Sequence, residues 1–325
     1  MNPTAKRWLV QTIKLTLALI VLFFIGRIFW DDLKKLDPED IHLQPHWLIL
    51  SGAVYLAGLL PSVWFFRHVH QLFGYPVPIY ACIRAHLIGH LGKYAPGKAL
   101  ALLMRSALLK PSGIPYGVSL IVSFYEVLTA MASGALVAAI VFVFDPPTIP
   151  EKLQEYIPAD WHPAWFGVGL LALCGLPLLP GVFNFIIAKM TAKLSTVEMY
   201  RLPPVRYPTL LLGIVVTAAG WWLQGLSAWI LVYSIVPDMA GLSMEAAAQY
   251  TAAIAFTNVV GFVVIFLPAG LGVRELLLKH MFADAGPELL VAVAVIVLRL
   301  NWVVTEIVMA LALYWIKPAG DRVIE

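Results

Sequence analysis

Basic side chains flank a helix break inside an apolar stretch of the chain, GKYAPGKALALLMR. Lys93 and Lys98 lie on either side of Pro96 and Gly97, and Arg105 follows Lys98 by seven residues, on the same helix face. A lone charge inside a bilayer costs at least about 2.5 kcal/mol on insertion scales, so each cation there needs a partner or water. A helix break also exposes unpaired N–H groups and a positive dipole end, which suit phosphate. The stretch is therefore predicted to bind an anionic group.

The same chemistry recurs in a second break, PAGLGVRE. Pro268, Gly270 and Gly272 interrupt an apolar segment, and Arg274 follows in the first turn of the next predicted helix. Arginine offers a planar pair of donors that matches two phosphate oxygens. The predicted substrate-binding residues are Lys93, Pro96, Gly97, Lys98, Arg105, Pro268, Gly270, Gly272 and Arg274.

Further ionisable residues in these segments are predicted to gate or couple the site: His86, His90, Glu126, Glu275, Arg299 and Glu306. The charged residues counted inside these segments are Arg84, Lys93, Lys98, Arg105, Arg274, Lys279 and Arg299 against Glu126, Glu275 and Glu306, which leaves about four cations without an internal partner. The alternative is that the basic residues nearest the segment ends reach the membrane surface, namely Arg84, Lys110, Lys279 and His280. Two histidines alone do not make a metal site, so no metal is predicted.

The elements that carry these residues are apolar. The 325 residues are 61% hydrophobic and 13% charged, and the mean hydropathy is +0.84, a balance typical of helical membrane proteins and not of soluble domains. No P-loop, dinucleotide fingerprint or His-Glu-x-x-His motif is found, so no cofactor and no nucleotide-driven pump are predicted. Segments long enough to cross a bilayer are 8–30, 47–66, 116–144, 164–187, 208–236 and 288–316.

Two other apolar segments, 79–110 and 245–283, contain the breaks. Runs of 17 and 13 residues flank the first break, too short to cross the hydrocarbon alone. They are predicted to form re-entrant helical hairpins. The predicted fold is thus an all-α polytopic membrane protein with about six full spanning helices and two broken re-entrant hairpins.

Loop charges give an orientation for this fold. With the hairpins re-entrant, one set of loops carries a net charge of +7 and the other −10. The positive-inside rule then places both termini in the cytoplasm, in a cell (inner) membrane. Loop 145–163 is predicted to be external and loop 188–207 cytoplasmic.

The two halves of the chain are predicted to be an inverted repeat. Residues 1–144 and 164–325 each read helix, helix, broken hairpin, helix, with the external loop 145–163 between them. Pro96 and Pro268 are 172 residues apart, and an ionisable residue follows each proline by 30 or 31 residues. Inverted repeats with discontinuous helices are typical of transporters, with the substrate site near the membrane midplane.

At these motifs the sequence resembles a known family. The stretches GKYAPGKALALLMRSALL with SFYEVLTA, and FLPAGLGVRELLL with VLRLNWVVTEIVMAL, look like the flippase-like transmembrane region of lysylphosphatidylglycerol synthases, over about residues 79–316. The first half departs from the common form, because residues 99–103 stand where a Gly-Glu pair usually follows the Pro-Gly turn. The resemblance implies movement of a lipid headgroup between leaflets by a stand-alone protein, without the synthase's aminoacyl-transferase domain.

The predicted function is a flippase-like lipid transporter for an anionic phospholipid or a lipid-linked phosphate, and not an enzyme. Its partners are then an anionic lipid and the bilayer, with no nucleic acid, and the oligomeric state, monomer or homo-oligomer, stays open. One alternative is an integral membrane enzyme acting on a lipid phosphate, with His86 or His90 as acid, base or nucleophile. Another is a non-transporting accessory membrane subunit.

Overall fold

The structure is a computed structural model, and it describes residues 44–94, 99–148, 158, 161–194, 202–235, 243–264, 270 and 272–316. All regular elements in this part of the chain are helices. Five of them are long and apolar enough to cross a membrane, and a bent pair of shorter helices makes a sixth candidate span. The predicted fold class, an all-α polytopic membrane protein, is confirmed.

In chain order the α-helices are α1 (Pro45–Leu72), α2 (Ile79–His90), α3 (Ala99–Leu109), α4 (Tyr116–Phe144), α5 (Ala164–Gly175), α6 (Pro180–Leu194), α7 (Tyr207–Ile235), α8 (Met244–Val263), α9 (Val273–Met281) and α10 (Glu288–Trp315). The candidate spans are α1, α4, α7, α8 and α10, with α5 and α6 as the bent pair. Their outer faces keep large apolar side chains exposed, such as Leu211 and Leu311, as expected for helices that face lipid.

Most predicted spans lie close to the observed helices. Segments 116–144, 208–236 and 288–316 match α4, α7 and α10 to within a residue at each end, whereas 47–66 is lengthened at both ends in α1. Predicted span 8–30 lies outside the described residues. Helices α4 and α10 each begin directly after a proline, Pro115 and Pro287, in an extended conformation that no helix can include.

The predicted span 164–187 is divided into two helices, α5 and α6. The chain bends by 52° between Ala164–Leu178 and Pro180–Lys189. A 3-10 turn, Leu176–Leu178, separates α5 from α6, and it contains Pro177. Two prolines three residues apart remove backbone donors and block regular α-helix between them, although every residue of the bend is apolar.

Both broken segments consist of two helices that pack against each other. In the first, α2 ends in a 3-10 turn, Leu91–Tyr94, before α3. The α-helices of its two arms have 12 and 11 residues, and the 3-10 turns Leu91–Tyr94 and Lys110–Ser112 extend them to runs 79–94 and 99–112, close to the predicted 17 and 13 residues. In the second, α8 has 20 residues and α9 only 9. The central residues of the breaks, 95–98 and 265–269, lie outside the described residues.

Helices α1 and α7 cross closely at the centre of the molecule. Ser51 and Ser227 each donate a hydrogen bond to the other's carbonyl oxygen, at 2.9 and 2.8 Å. Farther along α1, Gly58 meets Gly220, where a Cβ added to Gly220 would lie 2.7 Å from the Gly58 carbonyl oxygen. As the residue number increases along α1, from Ser51 to Gly58, the number of the contacting residue on α7 decreases, from Ser227 to Gly220. The two helices therefore run antiparallel.

The remaining helices pack around this crossing in matched pairs. Helix α2 packs on α10, and α8 packs on α4. Within the halves, α3 packs on α4 and α9 packs on α10. The described arms of both broken segments thus pack against the long helices α4 and α10, which carry Glu126 and Glu306.

Candidate functional site

Glu306, in the second half of α10, accepts hydrogen bonds from three side chains of two other elements. Lys93 Nζ lies 2.5 Å from Glu306 Oε1, and the Tyr94 hydroxyl donates to Oε2 at 3.0 Å. The Tyr55 hydroxyl of α1 also donates to Oε1. Lys93 Nζ further donates to His90 Nε2 at 2.8 Å. The carboxylate is therefore held by α1 and by the turn that ends α2.

The turn that carries Lys93 and Tyr94 is held in place by close backbone packing. A Cβ added to Gly92 would lie 2.6 Å from the Ala101 Cα of α3, so only glycine lets the two arms approach this far. The 3-10 turn therefore brings Lys93 and Tyr94 to the end of α2, towards α10.

A second carboxylate, Glu126, joins three helices of the first half. Arg105 of α3 donates from a terminal nitrogen to Glu126 Oε2 at 2.6 Å, and His86 Nε2 of α2 lies 3.4 Å from Oε1. All three side chains are buried. A buried ion pair of this kind holds the helices in one register, because leaving either charge without its partner in the interior is costly.

A third carboxylate, Glu275, belongs to the second half. Its Oε2 accepts a hydrogen bond from the Gly272 N–H and so caps the start of α9. Its Oε1 lies 3.2 Å from Arg299 Nε of α10. The Arg299 guanidinium also stands 5.9 Å from the centre of the Tyr94 ring, which links this pair to the Glu306 group.

Arg274 differs from the other three cations because no carboxylate lies within ion-pair distance among the described residues. One terminal nitrogen donates to the Asn258 carbonyl oxygen at 3.2 Å, and Nε is buried without a hydrogen-bond partner. The guanidinium packs against backbone at Gly261 and Gly270, and a Cβ on Gly270 would lie 2.8 Å from Nε. The side chain borders a small cavity together with Glu275 and Arg299.

The structure brings most of the predicted site residues into one region. Those described are Lys93, Arg105, Gly270, Gly272, Arg274 and all six residues predicted to gate or couple the site. Pro96, Gly97, Lys98 and Pro268 lie outside the described residues. Arg274, at the start of α9, is close enough to interact electrostatically with Tyr94, in the turn after α2, and with Arg299 of α10. Their roles in binding and gating stay predictions.

Two predicted substrate-binding cations have protein partners. Lys93 pairs with Glu306 and Arg105 with Glu126. With the pair of Arg299 and Glu275, each of the three acids counted in the sequence has a basic partner within the protein. Two of the basic residues near the segment ends have different kinds of partner. Arg84 donates a hydrogen bond to the Leu313 carbonyl oxygen at 3.2 Å, whereas Lys279 forms an ion pair with Glu288 at 3.0 Å.

Sequence reasoning missed three polar residues of the site. The hydroxyls of Tyr55 and Tyr94 bind Glu306, and Asn258 offers the carbonyl that holds Arg274. The contact of Asn258 carries no signal, since it uses a backbone carbonyl oxygen that any residue would offer. The tyrosines carry none, because aromatic residues are frequent in membrane segments for other reasons. Among the described residues no three His, Cys, Asp or Glu side chains are placed to hold a metal ion.

The fold and this region define a multi-pass α-helical membrane protein with paired charges buried between broken helices. A family model described as the lysylphosphatidylglycerol synthase TM region matches residues 11–308. The chain belongs to this family, as its motifs predicted, and membership relates it to membrane proteins that handle lipids. A comparison with curated proteins found no match to the chain.

Proposed function

We propose that this protein moves an anionic lipid headgroup between the leaflets of the membrane. The observation that carries the proposal is Arg274: a partly buried guanidinium at the start of a short helix, next to a break, with a carbonyl oxygen as its hydrogen-bond acceptor and with Nε unpaired. Phosphate offers the oxygens that such a group lacks.

The charge balance of the region supports an anionic ligand. Lys93, Arg105, Arg274 and Arg299 face three carboxylates, each of which lies within ion-pair distance of a different cation. With the histidines neutral, the described groups carry one net positive charge. A single phosphodiester would neutralise it, whereas a zwitterionic headgroup would bring an additional cation. Inside a bilayer an unbalanced charge is costly, so this difference favours an anionic headgroup.

The packing of the helices supports an inverted repeat, which would allow the site to open to either leaflet. Helices α4 and α10 follow Pro115 and Pro287, which are 172 residues apart, the spacing of Pro96 and Pro268. The contact of α2 with α10 has its counterpart in that of α8 with α4. The equivalent helices α1 and α7 run antiparallel, as inversion requires.

Glu306 is suited to gate such movement. Among the described residues, the ion pairs that join the first half to the second all use this carboxylate, through Lys93 and, at 3.6 Å, His90. Separation of the halves would break these contacts. A phosphate entering beside Arg274 would compete with Glu306 for Lys93, so substrate binding would weaken the contact that keeps the halves together.

The proposal is tested with purified protein in liposomes. Fluorescent analogues of an anionic glycerol-headgroup phospholipid and of a choline-headgroup phospholipid, with equal acyl chains, are compared by an impermeant quencher that reports leaflet exchange. We expect the protein to exchange the anionic lipid faster than the choline lipid. Protein-free liposomes are the control and should show the same slow exchange of both lipids. Equal rates for the two lipids contradict the proposal. Recovery of a chemically altered headgroup by mass spectrometry would instead identify a membrane enzyme.

A further inference from the structure

A second polar cavity lies where α4 ends. This cleft has a volume of about 140 Å³. Its polar lining is Asp145, Thr148, Gln249, Tyr250, His280 and Asp284, and we call it the α4-end cleft. Val141, Phe142 and Phe282 supply apolar surface. The proposed anion site does not use any of these residues.

The electrostatics of the α4-end cleft favour a cation. Asp145 and Asp284 contribute carboxylates, and no lysine or arginine occurs among the described residues that line it. Val141 and Phe142 belong to the last turn of α4, whose carbonyl oxygens form the negative end of the helix dipole. The Asp145 N–H uses one lone pair of the Val141 oxygen, at 2.8 Å, and leaves the other available.

Tyr250 gives an independent indication of a ligand. Only 6% of the surface of Tyr250 is exposed, and its hydroxyl has no hydrogen-bond partner. A buried hydroxyl without a partner costs free energy, so native structures rarely leave one unsatisfied. A ligand N–H group in the cleft would supply a donor to the hydroxyl oxygen.

The corresponding helix end in the other half of the molecule, the end of α10, shows which chemical group can bind at the end of α4. Val141 follows Pro115 by 26 residues, as Leu313 follows Pro287, so the ends of α4 and α10 correspond. At the end of α10, Arg84 Nε donates to the Leu313 carbonyl oxygen at 3.2 Å, and the Tyr80 hydroxyl donates to the Ile316 oxygen at 2.5 Å.

Helix α2 thus places a guanidinium against the end of α10. At the end of α4, the packed helix is α8, which places Gln249 and Tyr250 in the cleft and no basic side chain. The protein therefore supplies its own guanidinium at one helix end, whereas the described residues that line the corresponding end include His280 but no Lys or Arg.

We propose that the α4-end cleft binds an ammonium or guanidinium group of an external ligand. Such a group donates N–H bonds to the carbonyl oxygens of the last turn of α4 and to the Tyr250 oxygen, while Asp145 and Asp284 balance its charge. Both a dissolved amine and a lipid headgroup that bears an ammonium offer this chemistry. The inference stands on the geometry of the cleft and does not depend on lipid transport.

The first test compares two cations of equal charge. Binding of methylguanidinium to the detergent-purified protein is titrated by saturation-transfer NMR, beside tetramethylammonium, which has no N–H donor. We expect methylguanidinium to bind at least about tenfold more tightly, the effect of about one hydrogen bond to a charged group. Equal affinities, or no binding of either cation, would overturn the proposal.

Variants locate the binding. Asp145→Asn and Tyr250→Phe should each weaken methylguanidinium binding about fivefold or more. Glu245→Gln, an exposed acid on α8 outside the lining of the cleft, is the matched control and should leave binding unchanged. Tyr250→Phe keeps the ring that packs at 4.7 Å against Phe282, so loss of folding does not confuse the result. Equal weakening by Asp145→Asn and Glu245→Gln would show only a general attraction to negative charge and would refute the site.

The source of the ligand is resolved in lipid nanodiscs. Methylguanidinium is titrated in discs of ethanolamine-headgroup and of choline-headgroup lipid with equal acyl chains. Weaker binding only in the ethanolamine discs supports a lipid headgroup as the occupant, because that headgroup has N–H donors and competes. Equal binding in both discs, with the effects of the variants retained, supports a dissolved amine.

Discussion

The contact between Lys93 and Glu306 gives the sharpest stability prediction. The two charged atoms are 2.5 Å apart, and at an effective dielectric constant of about 20 two unit charges at that distance attract by roughly 7 kcal/mol. Desolvation offsets much of this attraction, and removing one partner of a buried pair typically costs about 3–5 kcal/mol. Glu306 is 2% exposed and Lys93 19%, so the carboxylate suffers more when left alone.

Lys93→Met should therefore destabilise the protein more than Glu306→Gln. At about 2 °C per kcal/mol, the low end expected for a large domain, Lys93→Met should lower the midpoint of thermal unfolding in detergent by roughly 6–10 °C. The double variant should recover much of the loss, because it leaves no unpaired buried charge. Lys189→Met, at an exposed position of α6, is the matched control and should have little effect. A Lys93→Met protein as stable as the wild type, or a double variant as unstable as Lys93→Met, would refute the reasoning.

Two further predictions concern packing and orientation. Gly220→Ala should lower the free energy of unfolding by about 1–3 kcal/mol, because the new Cβ would lie 2.7 Å from the Gly58 carbonyl oxygen. Gly169→Ala is the control and should be harmless, since its Cβ would point into open space. Equal midpoints of thermal unfolding for the two variants would contradict this account of the α1–α7 crossing. Single cysteines in a cysteine-free variant should react with an impermeant thiol reagent on intact cells at Thr148 and not at Thr196, and the reverse pattern would overturn the predicted orientation.

The long helices could be predicted from the sequence because hydropathy alone determines which segments cross a bilayer. The first residues of α4 and α10 could also be predicted, since Pro115 and Pro287 stand immediately before them. The bend between α5 and α6 was missed because hydropathy averages over Pro177 and Pro180, which change the backbone and not the apolar character.

The candidate site was predictable as a set of residues and not as a set of contacts. Charges inside apolar segments are rare, so Arg105, Glu126 and Glu306 were evident from their positions. Which groups pair depends on tertiary packing: Arg105 and Glu126 are 21 residues apart, but Lys93 and Glu306 are 213 apart and meet only across the two halves. The same packing determines that Lys93 and Arg105 are neutralised within the protein.

The most direct test of the central claim is the leaflet exchange of the anionic lipid by Arg274 variants in liposomes. Arg274→Lys should fold normally and reduce exchange by the loss of about one charge-assisted hydrogen bond, roughly 1.5–3 kcal/mol or 10- to 150-fold, and Arg274→Ala should reduce it further. Arg206→Ala, at an exposed arginine next to the start of α7, is the matched control and should exchange lipid at the wild-type rate. Wild-type exchange by a well-folded Arg274→Ala protein would contradict the proposed role of this residue and with it the anion site.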